Sequence, residues 1–158
     1  AKFYNSGIFI SNGEVKFQGK ERLVPFGEYV PFRRSIQKVF PHFFRKELLR
    51  GDFSSSKEGR KIFKIRGKRF SIFICWEILF GVPKDIDFVV NISNDVWFSR
   101  SRWGEEQHFW YSVFRATEAG VWLIRSTNFG ISAIVSPSGK IVTKKDRGEG
   151  FVYQTRSK

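Results

Sequence analysis

Cys75 is the single cysteine of the chain and sits in Ser71-Ile72-Phe73-Ile74-Cys75-Trp76-Glu77-Ile78-Leu79-Phe80, at the exit of an apolar run. A thiol at the end of a buried strand, entering a turn, can have its thiolate stabilised by backbone N–H groups and act as a nucleophile. The same residue in an apolar setting also serves as a small core filler. Glu77, two residues on, puts a carboxylate among apolar neighbours, a costly burial unless the group is paired or hydrogen-bonded. Upstream, Lys20 opens a loop fixed by Pro25 and Gly27 that ends in Glu28, an arrangement suited to holding an ammonium against a carboxylate. Downstream, Asn91-Ile92-Ser93-Asn94-Asp95-Val96-Trp97-Phe98 crowds polar side chains at the end of a β-branched run, the position where α/β sheets build their sites. Each stretch, taken alone, also reads as an ordinary turn or cap.

The elements that must position these groups are legible as patterns. Phe3 to Ile10 and Val15 to Phe17 flank a turn and predict a hairpin. Leu23 to Pro31 is an irregular, rigid loop, and Ser35 to Phe40 and Phe43 to Leu49 predict short helical pieces broken at Pro41. Gly51 to Gly59 reads as a surface loop. Lys61 to Ile65 and Arg69 to Ile74 predict strands around a Gly67-Lys68 turn, and Asp87 to Ile92 a buried strand. Glu105 to Ala119 carries Phe109, Val113 and Ala116 at helical spacing and predicts a helix ended by Gly120. Val121 to Arg125, Ile131 to Val135 and Ile141 to Thr143 predict further strands. Mixed strands with one strong helix give an α/β or α+β domain.

The chain has 158 residues, enough for one domain with a core. One cysteine allows neither an internal disulfide nor a multi-thiolate metal site. No zinc-spaced Cys/His set, phosphate loop or serine nucleophile elbow is present, and His42 and His108 read as structural. The formal net charge of +13 points to an anionic partner, a phospholipid surface or nucleic acid. Its dispersal along the chain argues against a nucleic-acid arm. No apolar run approaches the roughly 20 residues needed to span a bilayer, and the start has no signal-peptide pattern. With no methionine anywhere, the chain reads like a piece that begins in mid-domain.

Taken in order, Lys20-Glu21-Arg22-Leu23-Val24-Pro25-Phe26-Gly27-Glu28-Tyr29-Val30-Pro31, Ile74-Cys75-Trp76-Glu77-Ile78, Asn91 to Phe98, Gln107-His108, Arg115-Ala116-Thr117-Glu118 and Arg125 to Ala133 form a pattern. From about Tyr4 to the Pro137 turn, it closely resembles the nitrilase-like domain of the apolipoprotein N-acyltransferase family. The resemblance implies a nitrilase-type α-β-β-α sandwich, incomplete at its N-terminal side, with residues 1–158 forming a partial carbon–nitrogen hydrolase domain. It implies Cys75 as a nucleophile that takes an acyl chain from a phospholipid as a thioester. Lys20 matches the lysine that stabilises the oxyanion, Glu28 the glutamate that holds that lysine, and Trp76 and Glu77 the residues that support the nucleophile. Asn5 falls on a family asparagine near the site. The implied acceptor is the amine of a lipidated N-terminal cysteine on a lipoprotein, at the bacterial inner membrane and facing the periplasm. No cofactor, metal or nucleic-acid partner is implied.

Three departures accompany the resemblance. The family's general base is a glutamate well upstream of the lysine loop, and only Glu14, in the hairpin turn, precedes Lys20 here. The base is therefore expected to be absent from this chain, and the chain alone is expected to have little acyltransferase activity. The family's membrane helices are also missing, and absent front-half strands are expected to leave exposed edges and weaken folding. Finally, the family's tyrosine two residues before the lysine is Gln18, and the aromatic after the nucleophile is Trp76. Two other readings stand beside this one: an amidase of the same superfamily acting on small amides, and a non-catalytic basic module binding anionic lipid or nucleic acid.

Overall fold

The computed structural model describes residues 2–39, 52–98 and 101–153. The chain forms β1 (Ser6–Ser11), β2 (Glu14–Gly19), α1 (Arg33–Val39), β3 (Phe63–Ile65), β4 (Lys68–Ile74), β5 (Phe88–Ser93), α2 (Arg102–Ala119), β6 (Trp122–Thr127), β7 (Ser132–Val135) and β8 (Ile141–Lys145). Short 3-10 turns, Cys75–Phe80 and Asp95–Phe98, follow β4 and β5. The hairpin, the central strands and the α2 helix all form close to where the periodicity puts them. The second helical piece, residues 43–49, and His42 lie outside the described residues.

Six strands make one mixed sheet in the order β3-β4-β5-β6-β7-β8, and β1-β2 make a separate hairpin. β4, β5 and β6 run parallel, so their C-terminal ends, with Cys75 and the Asn94-Asp95 turn, emerge at the same edge. One face of the sheet packs under α2: Phe73, Val89, Leu123, Ala133 and Val135 meet Phe109, Val113 and Ala116. The other face, with Phe70, Ile72 and Ile74, packs against the hairpin through Phe9. Helix, sheet and hairpin thus form three stacked layers. The close approach of the two sheets requires Gly7, where an added Cβ would lie 2.8 Å from Ile72 Cγ2.

The helix begins at Arg102, three residues before the predicted start, with Ser101 Oγ accepting from the Gly104 N–H at its N-terminus. Gly104, which reads in sequence as a helix breaker, lies inside the first turn because Phe98 packs where its Cβ would be, 2.7 Å away. The outer face of the hairpin is apolar and solvent-facing, with the cross-strand pairs Ile8/Phe17 and Ile10/Val15 all exposed.

Candidate active site

Cys75 begins the turn that follows β4 and has a φ of 55°, in the left-handed region that non-glycine residues seldom occupy. Such a backbone costs about 1–3 kcal/mol and is held by its surroundings. Part of the hold comes from Glu77, whose side chain is fully buried. Its Oε2 accepts from the Ile74 N–H at 2.9 Å and from Arg60 at 3.2 Å, and its Oε1 accepts from the Glu21 and Arg22 N–H groups at 2.7 and 3.2 Å. Glu77 therefore ties the loop after Lys20 to the strand end that carries Cys75. Trp76 adds a second tie, its indole N–H donating to the Arg22 carbonyl at 2.7 Å.

Lys20 is buried, 1% exposed, and its ammonium lies 2.8 Å from both Glu28 carboxylate oxygens. Glu28 also accepts from Asn5 Nδ2 at 2.9 Å and from the Val24 N–H at 2.8 Å. Every side of that carboxylate is engaged, so Glu28 is a holder of the lysine and not a free base. Asn5 additionally receives the Lys20 N–H on its carbonyl. Asn5, Lys20, Glu28 and Cys75 line one cavity of about 440 Å³, together with Ser93, Asn94 and Asn128. Cys75 also lines a second, apolar cavity of about 290 Å³ with Trp76, Leu79, Trp97, Phe98 and Tyr111. Cys75 thus borders two cavities, one holding the Lys20–Glu28 pair and one lined mainly by apolar side chains.

Glu14 lies in the hairpin, ion-paired with Lys16 in solvent, and does not line the chamber. Gln18 is fully buried as a structural link, accepting from the Lys61 N–H at 2.7 Å. Among the described residues no group of three or more His, Cys, Asp or Glu side chains could hold a metal ion.

Behind the Cys75 turn lies a buried polar cluster: Asn91 and Asp95 of the polar strand end, joined by His108, Ser112 and Arg125. Arg125 donates to Asp95 at 2.7 Å, to Ser112 at 2.9 Å and to Asn91. Asp95 also accepts from Ser93 at 2.6 Å and contacts His108 Nδ1 at 3.1 Å. Burial alone would raise the Asp95 pKa; the His108 hydrogen bond, the Arg125 charge and the Ser93 hydroxyl outweigh it and hold the carboxyl below its ordinary value of 3.8. Burial pushes the Arg125 pKa down, opposed by Asp95. An arginine in an otherwise apolar buried strand was the available signal, since such a charge needs a partner.

The Asp95 shift has a sign that can be tested. A carboxyl depressed on folding adds stability above its unfolded value and loses it as pH falls through the folded value. Urea unfolding midpoints are therefore expected to be flat down to about pH 5 and to drop as pH falls further toward the depressed Asp95 value, with a smaller drop in Asp95→Asn.

A carbon–nitrogen hydrolase family profile matches residues 1–157. The chain belongs to the carbon–nitrogen hydrolase family. It is 34% identical over 148 residues to an apolipoprotein N-acyltransferase of Pseudomonas putida, covering 90% of this chain and 28% of that protein. It is 35% identical over 156 residues to one from Pasteurella multocida, covering 90% of this chain and 29% of that protein. The chain thus spans less than a third of the length of these curated relatives. A solved CN-hydrolase superfamily protein from Xanthomonas campestris, with an arsenic adduct in its active site, matches 93% of this chain and 59% of its own, with a TM-score of 0.60 and 14% identity. A carbon–nitrogen hydrolase from Helicobacter pylori matches 90% of this chain and 52% of its own, also with a TM-score of 0.60 and 14% identity. These likenesses establish the nitrilase-like fold expected from the sequence.

Proposed function

We propose that this chain supplies the nucleophile half of a membrane-associated N-acyltransferase that matures lipoproteins. The observation that carries the reading is the double environment of Cys75, which borders both the Lys20–Glu28 chamber and the apolar pocket. A small-amide amidase needs the first and has no use for the second.

In this reading the Cys75 thiolate attacks the carbonyl carbon of a phospholipid ester. The carbonyl electron pair moves to oxygen, and the oxyanion is stabilised by the Lys20 ammonium. Collapse of the intermediate breaks the ester bond, releases the lysophospholipid alcohol as it takes up a proton, and leaves an acyl thioester. The α-amine of a lipidated N-terminal cysteine then attacks the thioester, loses a proton and expels the thiolate. Trp76 and Glu77 fix the Lys20 loop against the nucleophile, and Asn5 and Glu28 hold the lysine. The apolar pocket shields the thioester from water. A lipid-facing role also fits the outer face of α2, where Trp103, Trp110 and Phe114 are exposed. No helix among the described residues is long and apolar enough to cross a membrane. The inner-membrane, periplasm-facing setting belongs to this proposal.

Transfer from phospholipid also needs a general base, and the carboxylate of the chamber is fully engaged. That base would take the thiol proton and pass it to the departing alkoxide; an aryl ester removes the second step, because its phenolate leaves without a proton, and buffer can take the thiol proton. The purified chain is therefore expected to take a palmitoyl group from p-nitrophenyl palmitate onto Cys75, seen by mass spectrometry as a hydroxylamine-labile adduct absent from Cys75→Ala. Ammonia release from small amides with no acyl adduct would instead favour the amidase, and the acyltransferase reading would be wrong.

A further inference from the structure

We infer that Asn91 is a positioning residue for Cys75, acting on the backbone of the nucleophile and itself oriented by Arg125. The inference rests on the reading of Cys75 as the acylated nucleophile.

Asn91 sits on β5 in register with Phe73 of β4 and Arg125 of β6, so that Asn91 and Arg125 are polar neighbours on an otherwise apolar face. Its Nδ2 group donates to the carbonyls of Phe73 and Cys75, both at 3.1 Å. Those carbonyls flank Ile74, so a single amide clamps both sides of the chain reversal that gives Cys75 its positive φ. The amide cannot turn over. Its oxygen faces Arg125, whose guanidinium only donates, so the NH₂ must face the two carbonyls. Ser112 Oγ lies 3.4 Å from the same oxygen and accepts from Arg125, closing the arrangement.

Arg125 in turn cannot swing away. Its Nη2 is held by Asp95, its Nε donates to the Ile131 carbonyl at 3.2 Å, and His108 Nδ1 lies beside both, 3.2 Å from Nη2 and 3.1 Å from Asp95. Asn91, Asp95, Ser112 and Arg125 are all essentially inaccessible to solvent. A buried ionic cluster is a poor source of stability compared with apolar packing of the same volume. What it supplies is direction, the role that outer partners play in fixing a ligand or nucleophile. Strain at a reacting residue is kept only where the surroundings over-determine it, and here the Asn91 amide adds to the hold that Glu77 exerts through the Ile74 N–H.

The experiment compares two reactions of the same thiol. Acylation by p-nitrophenyl palmitate needs the sulfur aimed at a carbonyl next to Lys20, whereas alkylation by iodoacetamide needs an accessible thiolate but no such alignment. Asn91→Asp keeps the volume and an acceptor for Arg125 but loses the donor to both carbonyls. It is expected to slow acylation by about 10- to 100-fold and alkylation by less than about twofold, so the ratio of the two rates falls. Ser112→Ala, a milder change that removes the hydroxyl beside Arg125 and Asn91, is expected to lower the same ratio less. It carries the test if Asn91→Asp does not fold. A ratio unchanged from the parent chain, whether both rates fall together or neither does, would mean that Asn91 only supports the fold, and the inference would be wrong. A parent chain that alkylates but takes no acyl group would remove the nucleophile reading, and this inference with it.

Discussion

Lys20→Met is expected to slow acylation of Cys75 by about 10²- to 10³-fold, the usual effect of removing one oxyanion donor. Methionine keeps the length and apolar stem of lysine and removes the charge. Glu28 then loses its cation while keeping Asn5 and the Val24 N–H, so a stability loss of about 3 kcal/mol, the low end for breaking a buried ion pair, accompanies the change. The rate is read as p-nitrophenolate release in a single turnover, and stability as the urea midpoint of the same sample. If Lys20 served only to hold the loop, the rate would fall no further than the folded fraction does. Lys20→Arg is not expected to restore it, because a site that buries the ammonium to 1% exposure has no room for a planar five-donor fork.

Glu77→Ala is expected to be the most destabilising single change near the site, at about 3–5 kcal/mol, the range for removing one partner of a buried ion pair. Three backbone N–H groups and the Arg60 guanidinium lose their acceptor at once. Glu77→Gln is expected to cost less, because one amide oxygen still serves Glu21 and Arg22. The urea midpoint gives the total. Amide hydrogen exchange gives the location: protection at Glu21, Arg22 and Ile74 should fall further than in β6, since these three N–H groups share the lost carboxylate. Uniform loss across the sheet would mean that Glu77 stabilises the fold without tying the loop to the nucleophile's turn.

The parts of the site that are local in sequence were legible in sequence. Cys75, Trp76 and Glu77 are neighbours, and a carboxylate in so apolar a run announced that it must find partners. The Lys20–Glu28 pair was readable because one short loop, stiffened by Pro25 and Gly27, spans both ends. Helix α2 and strands β4 to β7 were legible because their apolar spacing follows the period of the element that buries them. The start of α2 was missed because Gly104 has a tertiary reason to be glycine, the packing of Phe98. His108 reads as structural, and it is buried against Asp95.

What the amino-acid order alone determined, then, was the family pattern, the strand and helix succession, and the residues whose chemistry is carried by a short segment. Only the tertiary structure decided that the Glu77 carboxylate grips the Lys20 loop and that Cys75 borders both the Lys20–Glu28 chamber and an apolar pocket. It also decided that Asn91, Ser112 and Arg125 meet behind Cys75. Those three come from β5, α2 and β6, and no local spacing relates them. Their contact follows from parallel strand register and from the side of the sheet that α2 covers, quantities set when the whole core packs.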